Sequence, residues 1–178
     1  MARVDPSRLV FLDESGAKTN MTRLYGRAKK GERALEYTPH GHWCTTTVVA
    51  ALTEQGPLAP MVLDGPMDGA AFEAYLEQVL IPALPEGSIV VMDNLSVHKS
   101  SPVARVLHAA GAELWYLPPY SPDFNPIERM WSKVKAALRA AQPRDQEALF
   151  EAIANAFRDV TPDQSHNFFC HSIVCMQS

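Results

Sequence analysis

The sequence predicts an α/β protein built on a mixed sheet, and three observations carry that prediction. Two near-continuously apolar runs, RLVFLDE and SIVVMDN, have the make-up of interior strands. Between them, CTTTVVAALT and LAPMVLDG are β-branched or apolar runs joined by a short turn at residues 55–57, as in a hairpin. Apolar stripes at helical spacing then alternate with the later strands, which places an antiparallel hairpin beside parallel strands.

Each element has its own signal. The first strand is expected to end at Asp13. Asp68 is placed to cap a helix whose core stripe is Phe72, Leu76, Val79 and Leu80, stopped near Pro82. The second interior strand ends at Asp93. Ser101 as N-cap, Pro102 at the first position and Gly111 past the end frame a helix with Val103, Val106 and Leu107 inward. ELWYL reads as one more short strand, with Trp115 in the core. A helix entered at Asn125 turns Ile127, Met130, Trp131, Val134 and Leu138 inward, an i, i+3, i+4, i+7, i+11 set. The last predicted helix begins at Asp145, with Leu149, Ile153 and Phe157 inward; the final ten residues remain unassigned.

The chain has 178 residues, which suits one domain with a sizeable core, here taken as residues 1–178. At 47% hydrophobic and 20% charged residues it has the composition of a soluble globular protein, with no apolar run long enough to span a membrane and no signal-peptide pattern. Three unpatterned cysteines, Cys44, Cys170 and Cys175, favour a reducing, cytoplasmic setting. The formal charge of −4 is unevenly laid out. Residues 34–98 hold no Lys or Arg, whereas residues 14–33 hold Lys18, Arg23, Arg27, Lys29, Lys30 and Arg33. Residues 129–144 hold Arg129, Lys133, Lys135, Arg139 and Arg144 with no acid. Each segment alone reads as a solvated face; two in an acidic protein point to a local surface for a polyanion.

The acids at the two strand ends carry the chemistry. In an open α/β sheet, ligands collect at the carboxyl edge. If the two strands are parallel neighbours, Asp13 and Asp93 repel, and either one takes up a proton or a cation sits between them. Mg²⁺ suits such a pair, and a third carboxylate from the next helix would complete a two-metal site for in-line phosphoryl displacement. Glu128 is that third candidate. It follows the loop LPPYSPDFNPIE, whose four prolines in ten residues fix backbone angles and so hold a ligand at low entropic cost. The competing reading makes Asn125, Pro126 and Glu128 a capping box, with the Glu turned back onto its own backbone.

FLDESG, VMDNLSVHKS and LPPYSPDFNPIERMWSKVK resemble the three catalytic blocks of DDE transposases of the mariner-like bacterial insertion-sequence group. That group lies within the ribonuclease-H-like superfamily that includes retroviral integrases. Asp93 and Glu128 have 34 residues between them, the spacing of this branch, and the similarity runs from about Val10 to about Phe169. The resemblance implies a five-stranded mixed sheet flanked by helices, with Asp13, Asp93 and Glu128 holding two Mg²⁺ ions, for which Mn²⁺ can substitute. Asn94, His98, Ser121 and Asn125 would support the site. The implied reaction is DNA end cleavage followed by strand transfer, and the candidate DNA contacts are Lys18, Arg27, Lys29, Lys30, Lys99, Arg129, Lys133, Lys135 and Arg139. Transposon ends and target DNA, a second copy of the chain and a separately encoded N-terminal DNA-binding half are the implied partners, in a bacterial, nucleoid-associated setting. The helix-turn-helix domains of complete relatives are expected to be absent, and the tail NFFCHSIVCMQS departs from the family's ending.

Rival readings are weaker. A dehalogenase-like phosphatase wants an Asp where Ser15 stands, and a phospho-receiver leaves Glu128 unexplained. A non-catalytic DNA-binding or assembly remnant, or another Mg²⁺-dependent nuclease of the same fold, stays open. Asp64 and Asp123 read as turn formers, and His40 and His42 as loop residues. Cys170, His171 and Cys175 lack the paired pattern and further ligands that zinc needs.

Overall fold

A computed structural model describes residues 4–35, 45–94, 101–119 and 121–177. Five strands form one sheet: β1 (Leu9–Lys18), β2 (Thr45–Thr53), β3 (Gly56–Asp64), β4 (Ile89–Met92) and β5 (Glu113–Tyr116), in the order β3-β2-β1-β4-β5. β1 pairs antiparallel with β2 and β2 with β3, whereas β4 runs parallel to both β1 and β5. The predicted hairpin and the two parallel interior strands are therefore present.

Strand parity decides what each face can do, because successive side chains point to opposite sides. Val10, Leu12, Val90 and Met92 pack on one face against Phe72, Tyr75, Leu76 and Leu80 and against Val103 and Leu107. Those residues lie on α1 (Gly69–Tyr75), its continuation through Ala83 and α2 (Ser101–Ala109). Leu9, Phe11, Ile89 and Val91 pack on the other face against Ile127, Met130, Trp131, Val134 and Leu138 of α3 (Ile127–Ala141) and against α4 (Gln146–Arg158). Asp13 and Asp93 share the parity of this second set, so both belong to the α3 side.

The local signals mostly hold. Asp68 Oδ1 accepts from the Ala71 N–H at 2.8 Å, and Asp145 Oδ1 accepts from the Ala148 N–H at 2.8 Å, capping α1 and α4. Gly111 ends α2 at a φ of 75°, a conformation glycine adopts without a side-chain penalty. The five predicted inward residues of α3 are all buried.

Four expectations need correction. β1 does not stop at Asp13; it runs on to Lys18, because β2 keeps pairing with it after β4 has ended. The helix after Asp68 changes winding at Leu76 into a wider turn and then, across Pro82, a tighter one. Trp115 is not in the core but 41% exposed, because β5 is an edge strand bonded only to β4. The chain does not end its structure with α4: α5 (Pro162–Gln177) follows and buries Ser165, Phe169 and Ser172. Among the described residues no helix is long and apolar enough to cross a membrane.

Candidate active site

The β1–β4 register pairs Leu9 with Ile89 and Phe11 with Val91, so two residues further Asp13 stands level with Asp93. Neighbouring strands lie about 4.8 Å apart, which brings the two carboxylates together just where β4 leaves the sheet. Glu128, exposed on the first turn of α3, reaches the same place. All three acids line one cavity of about 520 Å³, together with Asn94, Leu117, Pro118, Pro119, Ser121, Pro122 and Asn125. The proline loop thus forms a wall of the cleft, as its rigidity suggested.

The electrostatics match this crowding. Burial raises the Asp13 carboxyl from its ordinary 3.8 to about 7, and the negative charges of Glu128 and Asp93 push the same way. The Glu14 backbone N–H and the Trp131 side chain pull against that rise without cancelling it. Trp131 Nε1–H donates to Asp13 Oδ2 at 3.0 Å, tying α3 to β1 beside the cleft. Helical periodicity placed Trp131 in the core, which is correct, but a buried indole N–H also needs an acceptor. That requirement was the signal for its second role.

Glu128 is not a capping residue. The Asn125 N–H is already given to Pro122 O at 3.0 Å, so the carboxylate has no backbone donor to reach back to. The Glu128 N–H meets the Asn125 backbone carbonyl at 3.3 Å, and α3 carries no side-chain cap. Asn125 is 6% exposed, and its Oδ1 is buried without a hydrogen-bond partner among the described residues. Asn94 Nδ2 donates to the Leu117 carbonyl, which fixes its amide beside Asp93. Ser121 Oγ donates to Pro119 O at 3.2 Å, inside the proline loop. The structure therefore gathers Asn94, Ser121 and Asn125 at the cleft, while His98 and Lys99 lie outside the described residues.

Among the described residues no three His, Cys, Asp or Glu side chains stand close enough to grip an ion by themselves. The triad edges an open cleft rather than closing a cage. That suits Mg²⁺, which keeps several waters and uses few protein ligands.

The basic candidates divide. Lys18 and the segment carrying Arg27, Lys29 and Lys30 are exposed, and Arg129 is exposed beside Glu128, lining a second cavity with Asp123, Ser132 and Ser172. Lys135 and Arg139, seven and eleven residues beyond Glu128, share its helical stripe. Lys133 does not belong with them. Its ammonium donates to the Asp159 carbonyl and to Gln164 Oε1, so it holds α5 to α3.

A five-stranded mixed sheet of this order, flanked by helices and edged by carboxylates, defines a ribonuclease-H-like domain. The DDE superfamily endonuclease model matches residues 8–150, and the chain belongs to that family. The Tcb1 transposase of Caenorhabditis briggsae is 30% identical over 112 residues, covering 61% of this chain and 40% of the relative. The Tc1 transposase of Caenorhabditis elegans is 26% identical over 118 residues, covering 64% and 42%. The chain thus spans less than half the length of these relatives. In solved structures the same fold recurs in the Mos1 transposase paired-end complex with the left transposon end, at a TM-score of 0.76 and 18% identity, covering 97% of this chain and 54% of that one. It recurs in the Mos1 mariner paired-end complex with Mn at a TM-score of 0.72 and 17% identity, covering 96% and 54%.

Proposed function

We propose that the chain is the catalytic domain of a DNA transposase, cutting phosphodiester bonds at the ends of a mobile segment and joining the freed 3′-hydroxyl to target DNA. The convergence of Asp13, Asp93 and Glu128 from three separate elements on one cleft is the observation that supports it most. The Tc1 and Tcb1 relatives bear the name transposase, and Mos1 complexes have been solved with Mg and with Mn.

The donor set fits a divalent cation. Three carboxylates edge one cleft, burial and then the neighbouring charges raise the Asp13 carboxyl to about 7, and the carboxamide oxygen of Asn125 is buried without a partner among the described residues. Two Mg²⁺ ions, or Mn²⁺ in their place, would activate the attacking oxygen and stabilise the leaving oxygen when bound. The protein's own groups supply position. Trp131 fixes the Asp13 carboxyl, Asn94 is locked by the Leu117 carbonyl, and the prolines keep the loop before Glu128 from wandering. The stripe through Lys135 and Arg139, on the same helical face as Glu128, would lead phosphates toward the cleft. A second copy of the chain in the active complex and a separate DNA-binding half for end recognition complete the reading.

Nicking of labelled duplex DNA in Mg²⁺ or Mn²⁺ tests it. Glu128→Gln, which keeps size but loses charge, is expected to lower the rate about a hundredfold or more without unfolding the protein. Equal rates for the two chains would remove Glu128 from the mechanism.

A further inference from the structure

Away from the acidic cleft and sharing no residue with it, three side chains form a linear relay on the surface. Glu54 sits in the turn between β2 and β3, while His166 and Cys170 lie one turn apart on α5. His166 Nδ1 is 2.8 Å from Glu54 Oε1, and Cys170 Sγ is 3.3 Å from His166 Nε2. An ionised carboxylate only accepts hydrogen bonds, so in the neutral ring Nδ1 carries the proton and donates to Glu54. That leaves the Nε2 lone pair facing the thiol.

Packing fixes the backbone next to each member of the relay. Ser165, next to His166, donates through Oγ to the carbonyl of Thr53, next to Glu54. Phe169, next to Cys170, is 1% exposed and meets the Phe11 ring edge-to-face at 5.3 Å. The helix and turn that carry the three groups are thus fixed against each other, while Cys170 itself is exposed and free of any disulfide. A nucleophile, a base within hydrogen-bond reach and a third group orienting that base are the parts of an activated thiol. A buried structural cysteine has none of them.

We propose that Cys170 is a nucleophilic modification site, activated by His166 and Glu54 and directed at small disulfides. His166 Nε2 takes the thiol proton as Sγ attacks one sulfur of the disulfide RS–SR. The S–S bond breaks, Cys170–S–SR forms, and the departing RS⁻ recovers the proton as RSH. Redox equivalents balance, since the small disulfide supplies the oxidising power and its second half leaves as thiol. No step involves the DNA-cleaving residues.

Dithiobis-nitrobenzoate, an aromatic disulfide that releases a coloured thiolate, is the probe. The measurement uses the full chain with Cys44→Ser and Cys175→Ser, so that Cys170 alone reports. At pH 7 the bimolecular rate is expected to fall about tenfold or more on His166→Ala, and several-fold on Glu54→Gln, with circular dichroism unchanged. His166→Gln replaces the alanine variant if that chain does not fold, because it keeps bulk and lacks the ring base. Mass spectrometry is expected to place the adduct on Cys170. Rates for the His166 and Glu54 variants within twofold of the parent, or an unreactive parent, would overturn the proposal.

Discussion

The Asp13 carboxyl carries the most information for a single residue, because its environment is hostile to its own charge. A carboxyl whose folded value lies above its unfolded value binds its proton more tightly in the folded chain. Its contribution to stability is therefore full at low pH, declines as pH rises from about 4, and is lost above about 7. A move from 3.8 to about 7 corresponds to roughly 4 kcal/mol. Solvent at the open cleft and local relaxation reduce the measurable part to about 1–2 kcal/mol. Asp13→Asn removes the charge while keeping an oxygen for the Trp131 N–H. In chelated, metal-free protein the two chains are expected to match near pH 4, and the variant to become more stable as pH rises, the gap levelling off above pH 7. Adding Mg²⁺ at pH 8 is expected to restabilise the parent more than the variant. Urea midpoints across that range measure both, and a gap that stays constant with pH would contradict the burial of the charge.

At the scale of elements, α3 and α5 divide what the sequence made legible from what it did not. α3 was readable because its five inward residues are large, apolar and spaced at the helical period, so periodicity and burial agree. Asp93 was readable for a related reason, since it directly follows the apolar strand β4; Asp13 was singled out on the expectation of a strand end that β1 does not have. α5 was not readable. Among the α5 residues whose burial is described, two of the three buried ones are serines, Ser165 and Ser172, so polar positions interrupt the apolar stripe of Phe168 and Phe169. Ser165 is buried because a carbonyl more than a hundred residues away, on Thr53, accepts its hydroxyl, a partner no local pattern can foretell. Trp115 failed in the opposite sense, as its composition suggested core while its place on an edge strand left it half in water. α5 nevertheless matters to the site, because Phe169 packs on Phe11, two residues before Asp13 and on the same face of β1. Phe169→Ala is expected to cost about 3 kcal/mol, the transfer term plus an unfilled cavity. A loss below about 1 kcal/mol in chemical denaturation would mean that α5 does not seal that face.

Across the whole molecule, charge is arranged against the net count. The formal charge of −4 would repel DNA if it were spread evenly, but residues 34–98 hold no Lys or Arg to offset their acids, so the bases gather elsewhere in the chain. Under the proposed function, DNA would be held through local cations, with Lys135 and Arg139 in line with Glu128 and the exposed segment bearing Arg27, Lys29 and Lys30 as a second group. Each phosphate neutralised releases condensed counterion, so the logarithm of affinity falls with the logarithm of salt at a slope of about −0.9 per contact. Roughly five contacts give a loss of about 10²–10³ in affinity between 50 and 200 mM salt. Fluorescence anisotropy on a labelled duplex, titrated with NaCl, reads that slope. The double variant Lys135→Gln, Arg139→Gln is expected to flatten it by about 2. Lys133→Gln is the internal control. Its ammonium is already committed to Asp159 and Gln164, so its loss should weaken the docking of α5 and lower stability while leaving the slope in place. A slope shallower than about −1 for the parent, or one that responds to Lys133 and not to the pair, would move the DNA path off this face of α3.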